Sequence, residues 1–244
     1  MLKTADIAGM IDHALLRPDI TKQQVADGCA IARQCGCAAV CVRPCDVHTA
    51  IQELEGSDVN VGSVVGFPHG GNPTGVKVLE AEMCIAYGCR ELDMVLNIGR
   101  MKSGEYDQVE HDIRAVCDFA HNKDVIVKVI FENAYLTDDE IAMAAQISER
   151  SGADYIKTAT GFAAHGALLK DLRIMRANCS ERVKIKAAGG IRTLNDVLTA
   201  LGAGCSRIGA SATQAIVAEA MKAEQEGTLC IPKELTGLKL TSQY

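Results

Sequence analysis

A lysine that closes a short apolar run, directly ahead of small residues and a glycine, is the first group in this chain that could do covalent chemistry. The run is Gly152-Ala153-Asp154-Tyr155-Ile156-Lys157-Thr158-Ala159-Thr160-Gly161-Phe162. Gly152 reads as the end of a helix and Asp154 to Ile156 as a buried strand. Thr158 to Gly161 read as a small-residue turn that lets a ligand approach the backbone. Lysine is among the residues least often fully buried, and an ammonium without a partner in an apolar site tends to lose its proton. A neutral amine is a nucleophile. Amines held this way form Schiff bases with carbonyl compounds once the pKa falls from about 10.4 toward neutrality. A single such lysine more often caps a strand and snorkels to solvent, so the rest of the chain has to decide.

A nucleophile needs a scaffold. Short apolar runs alternate with helical patterns from one end of the chain to the other, which marks repeated βα units around a parallel sheet. Eight strands are expected: Met10 to His13, Ala38 to Val42, Val59 to Val65, Glu91 to Val95, Val125 to Ile130, Tyr155 to Lys157, Val183 to Lys186 and Arg207 to Gly209. Helices are expected over Lys22 to Cys35 behind a Thr21 cap, and over Asp138 to Arg150 behind Thr137, with Glu140 completing a capping box. Others fall near Pro73 to Gly88, Tyr106 to His121, Leu168 to Asn178 and Asn195 to Leu201, with Gly36, Gly88, Gly152 and Gly202 at helix ends. The expected fold is α/β, a single-domain (β/α)8 TIM barrel over residues 1–226, followed by a C-terminal tail over 227–244. Such barrels carry their chemistry at the C-terminal ends of the strands.

Polar residues at the ends of apolar strands are therefore candidates: Asp12, Asp93, Lys157 and Lys186. Asp12 reads equally as a capping or salt-bridging group. Asp93 shares a face with Val95, and in a barrel one face fills the interior, where a carboxylate needs a cationic partner. Lys184 and Lys186 share a face too, but only Lys186 is near enough to the strand end to reach the mouth. A second ammonium beside Lys157 would raise the cost of protonating it. Glycine turns after the late strands offer an anion site: Thr160-Gly161, Gly189-Gly190 and Gly209-Ala210-Ser211.

Composition narrows the classes. The chain has 244 residues, 48% hydrophobic and 23% charged, with net charge -6, which suits a globular domain with a large core. No basic run interleaves with aromatics, so nucleic acid is not an expected partner. No apolar run approaches the roughly 18 residues of a membrane span, so a cytoplasmic location is expected. Eleven cysteines are scattered rather than paired; Cys41 and Cys45 have no matching His/Cys pair at zinc spacing. They read as small buried residues in a reducing compartment. The six histidines, His13, His48, His69, His111, His121 and His165, form no recognisable ligand cluster and read as loop or helix-surface residues, so neither metal nor cofactor is expected.

From Ile11 to Ser211 the chain resembles the deoxyribose-phosphate aldolases, class I aldolases with a (β/α)8 barrel. The likeness rests on seven motifs in order: Ile11-Asp12-His13-Ala14-Leu15-Leu16, Val40-Cys41-Val42, Val65-Gly66-Phe67-Pro68, Glu91 to Gly99, Lys157 to Phe162, Lys186 to Thr193, and Arg207-Ile208-Gly209-Ala210-Ser211. The resemblance implies that Lys157 forms the Schiff base and Lys186 perturbs it. Asp93 would transfer protons and Asp12 support it, while Thr160, Gly161, Gly189, Gly190, Gly209 and Ser211 would bind the substrate's phosphate. It further implies reversible cleavage of 2-deoxyribose 5-phosphate, with no metal or cofactor. The expected partner is a small phosphorylated sugar, and the expected assembly a homo-oligomer, a dimer. Some family members use a C-terminal tyrosine in proton transfer, which makes Tyr244 a candidate. Two loops depart from the commonest family versions: Phe131-Glu132-Asn133-Ala134-Tyr135-Leu136, and Phe67-Pro68-His69-Gly70-Gly71-Asn72-Pro73 with its additional proline. Alternatives are a class I aldolase for a different phosphorylated sugar and a non-catalytic sugar-phosphate-binding barrel.

Overall fold

A computed structural model describes residues 2–235. Eight parallel strands, β1 (Ile11–Leu15), β2 (Ala39–Val42), β3 (Asn60–Val65), β4 (Glu91–Val95), β5 (Ile126–Ile130), β6 (Tyr155–Lys157), β7 (Lys184–Ala188) and β8 (Arg207–Ala210), pair in sequence order. β8 pairs back with β1, closing a (β/α)8 barrel. Ten α-helices accompany the strands among the described residues: α1 (Thr4–Ala8), α2 (Lys22–Cys35), α3 (Val47–Glu53), α4 (Thr74–Ala86), α5 (Ile98–Lys102), α6 (Tyr106–His121), α7 (Asp138–Arg150), α8 (Leu169–Ala177), α9 (Leu194–Gly202) and α10 (Thr213–Gln225).

Local chemistry starts the helices where the sequence signals them. Thr21 accepts from the Gln24 N–H and Thr137 from the Glu140 N–H; in both cases the N3 side chain returns the bond, making reciprocal caps. Gly36 ends α2 in the left-handed conformation at φ 70°. The strands are rich in β-branched residues and buried on both faces, as parallel barrels require. Val127, Val129, Ile156, Ile185 and Ile208 belong to one apolar core that also takes in Val25, Ile113, Ile141 and Leu172 of the helices. A second, small cluster of Leu16, Cys41 and Val64, backed by Phe67, is separate from it.

Several expectations change. β1 runs on to Leu15, which pairs with Val42, and β7 runs on to Ala188, which pairs with Gly209, because a ladder partner on one neighbouring strand holds residues that propensity leaves undecided. Gly202 is the last residue of α9, as expected, but the left-handed turn comes two residues later at Gly204, φ 92°, and a Cβ at 202 would meet Leu235. His13 is not a surface residue. Strand alternation turns it to the outer face of β1, where Nδ1 lies 2.8 Å from the Thr213 hydroxyl and burial pushes its pKa down to about 4.

Candidate active site

Parallel register does the first work of assembly. Lys157 of β6 pairs with Lys186 of β7, Lys186 with Arg207 of β8, and Asp93 of β4 with Lys128 of β5. Strand alternation adds Glu91 two residues before Asp93. The interior of this barrel therefore carries Asp12, Glu91, Asp93, Lys128, Lys157, Lys186 and Arg207 in place of the usual aliphatic layers.

Their contacts close on themselves. Asp93 Oδ2 accepts from Lys157 Nζ and Lys186 Nζ, each at 2.7 Å, and Asp93 Oδ1 accepts from Lys128 Nζ at 2.9 Å. Lys128 also meets Glu91 Oε2 at 2.5 Å. Arg207 Nη1 spans Glu91 at 3.2 Å and Asp12 Oδ1 at 2.6 Å, and Asp12 Oδ2 returns to Lys186 Nζ at 2.5 Å. Glycine makes room for the lysine. A Cβ on Gly209 would stand 3.2 Å from Lys186 Cε and 2.9 Å from the Ala188 Cβ.

The network has four cations and three carboxylates, so it holds one positive charge too many when every member is ionised. Lys157 is where that surplus is most easily shed. Burial and the Lys186 ammonium lower its pKa below the ordinary lysine value, against the opposing pull of Asp93. Lys186 goes the other way: burial alone would depress it, but Asp12 and Asp93 outweigh burial and hold it above the ordinary value. Lys128 is held well above it in the same manner by Asp93, Asp12 and Glu91. Burial alone would raise the carboxylates, yet their lysine partners keep Asp93 well below the usual carboxylate range and Asp12 below it as well. Deprotonating Lys157 leaves three cations against three anions. A neutral amine beside a charged one is the state a Schiff-base nucleophile requires.

Lys157 opens into a cavity lined by two kinds of wall. One is apolar, with Leu16 and Cys41; the other is polar or glycine-rich, with Thr160, Gly161, Gly189, Gly190, Gly209 and Ser211. The six residues of the expected anion site thus share one cavity with Lys157, Lys186 and Asp12. Gly189 adopts φ 84°, and the Gly166 Cα would lie only 2.7 Å from a Cβ there, so no larger residue fits this wall. Asp93 sits behind the lysines, in contact with both. Tyr244 lies outside the described residues.

Several members escape a reading confined to strand ends. Lys128 lies within a strand, Glu91 and Arg207 each open one, and Arg192 of the glycine turn also lines the cavity. A signal exists for Lys128, a lone cation in Ile126-Val127-Lys128-Val129-Ile130. Glu132, two residues after β5, is buried and accepts hydrogen bonds from Thr160. Lys184, by contrast, is exposed at the far end of β7, 5.6 Å above the Tyr155 ring.

Comparison with known proteins gives consistent findings. Residues 7–230 match the family model described as DeoC/LacD family aldolase. A deoxyribose-phosphate aldolase of Caldanaerobacter subterraneus subsp. tengcongensis is 46% identical over 215 residues, 88% of this chain and 93% of that one. Another, from Thermococcus gammatolerans, is 46% identical over 221 residues, 90% of this chain and 98% of that one. The tetrameric structure of the deoxyribose phosphate aldolase from Aeropyrum pernix superposes with a TM-score of 0.83 at 28% identity, over 91% of this chain and 92% of that one.

Proposed function

The chain belongs to the DeoC/LacD aldolase family, and on that premise we propose that it is a class I aldolase that reversibly cleaves 2-deoxy-D-ribose 5-phosphate to D-glyceraldehyde 3-phosphate and acetaldehyde. The observation that carries the reading is Lys157 Nζ, buried, open to the cavity, and sharing Asp93 Oδ2 with a second lysine.

The neutral amine of Lys157 attacks the C1 aldehyde of the open-chain sugar to give a carbinolamine, which loses water to form an iminium. The 3-hydroxyl gives up its proton to solvent in the open cavity, the C2–C3 bond breaks, and its electron pair flows to the iminium nitrogen. Glyceraldehyde 3-phosphate leaves and an enamine remains. Protonation of the enamine carbon and addition of water to the resulting iminium release acetaldehyde and restore Lys157. Asp93, in contact with the nitrogen next to the carbon at which water is lost and regained, serves proton transfer in those steps, a contribution of about 10²- to 10⁴-fold for a general catalyst. Lys186, fixed as a cation by Asp12 and Asp93, keeps Lys157 neutral. The glycine turns after β7 and β8, with Arg192 beside them, receive the phosphate at the starts of α9 and α10.

Borohydride added with acetaldehyde should reduce the iminium and leave a stable two-carbon adduct on the peptide holding Lys157, found by mass. An adduct on Lys186 or Lys128, or none on the active protein, rejects the assignment.

We further propose that the protein is a cytoplasmic homodimer. Its eleven cysteines are free thiols, mostly buried, which fits a reducing compartment. No helix among the described residues is long and apolar enough to cross a membrane. Val76, Leu79, Met83 and Tyr87 form an exposed apolar stripe along one face of α4, a self-complementary surface for a two-fold contact. Leu79→Glu should give a monomer by sedimentation; an unchanged mass rejects this surface.

A further inference from the structure

Glu132, which no step of this reaction uses, sits at the edge of the site in a costly backbone conformation. It has φ 55° and ψ 62°, the left-handed region, which disfavours any residue with a Cβ by about 1–2 kcal/mol. Such a residue persists only where its surroundings over-determine it. Here they do. The flanking Phe131 and Asn133 N–H groups donate to the carbonyls of Lys157 and Thr158, both at 3.0 Å. The backbone on either side of Glu132 is thereby tied to the end of β6.

Its carboxylate turns onto the loop that follows β6. It accepts from the Thr160 N–H, at 3.2 and 3.3 Å to its two oxygens, and from the Thr160 hydroxyl. Thr160 Oγ1 accepts in turn from the Phe162 N–H at 3.0 Å, and the Phe162 and Phe67 rings meet edge to face at 5.5 Å. One carboxylate thus fixes residues 160–162 and, through the aromatic pair, braces the loop after β3. The far end of the same loop is anchored as well: the Ala167 N–H donates to the Gly189 carbonyl at 3.0 Å. Thr160 lines the cavity, but it spends its N–H and hydroxyl on Glu132, so its part in anion binding is to carry the wall that Gly161 presents.

We infer that Glu132 is a positioning residue that holds the loop over residues 160–167 as a rigid wall of the cavity and so sets affinity for the phosphorylated end of the substrate without entering the bond-breaking steps. This rests on the function proposed above and adds a determinant of affinity to it. A carboxylate that merely lay near an anion would repel it, and the two roles differ in sign.

Glu132→Gln keeps the shape but puts an amide donor where the Thr160 hydroxyl now donates. Glu132→Gly removes the carboxylate while relieving the left-handed strain, and so guards against a folding defect. Both should raise KM for deoxyribose 5-phosphate roughly tenfold, the scale of one lost charge-assisted hydrogen bond, with kcat at saturation within about twofold. The kcat/KM for unphosphorylated deoxyribose should change little. Thr160→Val should have the same effect, and the double variant Glu132→Gln/Thr160→Val should be no worse than either single one. An unchanged or lowered KM for the phosphorylated sugar overturns the inference, as does a fall in kcat shared by both substrates. Absence of a borohydride adduct on wild-type Lys157 would instead reject the function itself, and that measurement comes first.

Discussion

Strand β4 touches buried lysines on both of its sides, and Lys77 outside the barrel and Lys157 inside it differ in what surrounds them. Lys77 of α4 is sealed in the helical layer, with Nζ 2.5 Å from Asp112 Oδ2 of α6 and 2.8 Å from the Val95 carbonyl that ends β4. Lys157 meets Asp93 of the same strand at 2.7 Å from inside the barrel. Both lysines have lowered pKa values, and in both burial is the larger cause. Burial and a depressed pKa are therefore not what distinguishes a nucleophile. Lys77 has one carboxylate to itself, with no second cation among the charges that act on it, and it lines none of the described cavities. Lys157 shares its carboxylate with Lys186 and opens into a cavity. Access and a competing cation separate chemistry from scaffolding.

Lys157→Leu removes the amine that opens into the cavity. Activity should fall by at least about 10⁴-fold, as removal of a nucleophile does, while the protein stays folded, because the network then has three cations for three carboxylates. Residual aldolase activity that can still be trapped on another lysine would end the distinction.

Lys186→Met tests the competing cation. Removing its positive charge takes away a repulsion that lowers the Lys157 pKa, and it leaves Asp93 a stronger partner for Lys157, so that pKa rises. A neutral amine then requires higher pH: kcat/KM should drop roughly 10²-fold near pH 7 and recover partly as pH increases. A uniformly lowered profile with no shift would reduce Lys186 to a binding or structural residue.

Lys77→Met should do the reverse. It leaves Asp112 buried without a counter-charge and the Val95 carbonyl without a donor, costing about 3–5 kcal/mol in denaturant unfolding. The folded fraction should still form the Lys157 adduct with kcat within a few-fold of wild type, and adding Asp112→Leu should recover much of the stability. A large fall in kcat without loss of stability would place Lys77 in the catalytic network.

The smallest effect is expected from Lys184→Gln, on the same strand and the same face as Lys186. Its ammonium lies over Tyr155 at the exposed end, so stability should move by less than about 0.5 kcal/mol and the pH profile not at all. A shifted profile would mean that charge acts on Lys157 from either end of β7.

The sequence by itself determined the alternation of strands and helices, and with it the barrel, because hydrophobic period, threonine caps and glycine stops are local properties that tertiary contacts here reinforce. It also marked Lys157, Lys186, Asp93 and Asp12 as candidates, since a charge in or closing an apolar strand is legible without knowing its neighbours, although only Lys157 ends its strand. The tertiary structure decided the rest. Barrel strands are staggered, so position along a strand does not give height in the interior; Lys128, mid-strand in β5, meets the same Asp93 carboxylate as Lys157, which closes β6. Glu91 and Arg207 became part of the network only once β4 and β8 faced each other across the barrel. His13 became a core residue when β1 and α10 closed on it. Glu132 is the most extreme case. Nothing in a row of letters predicts a glutamate at positive φ, because that conformation is unfavourable locally and is held only by bonds to Thr160 and to the end of β6, 28 residues away along the chain at Thr160.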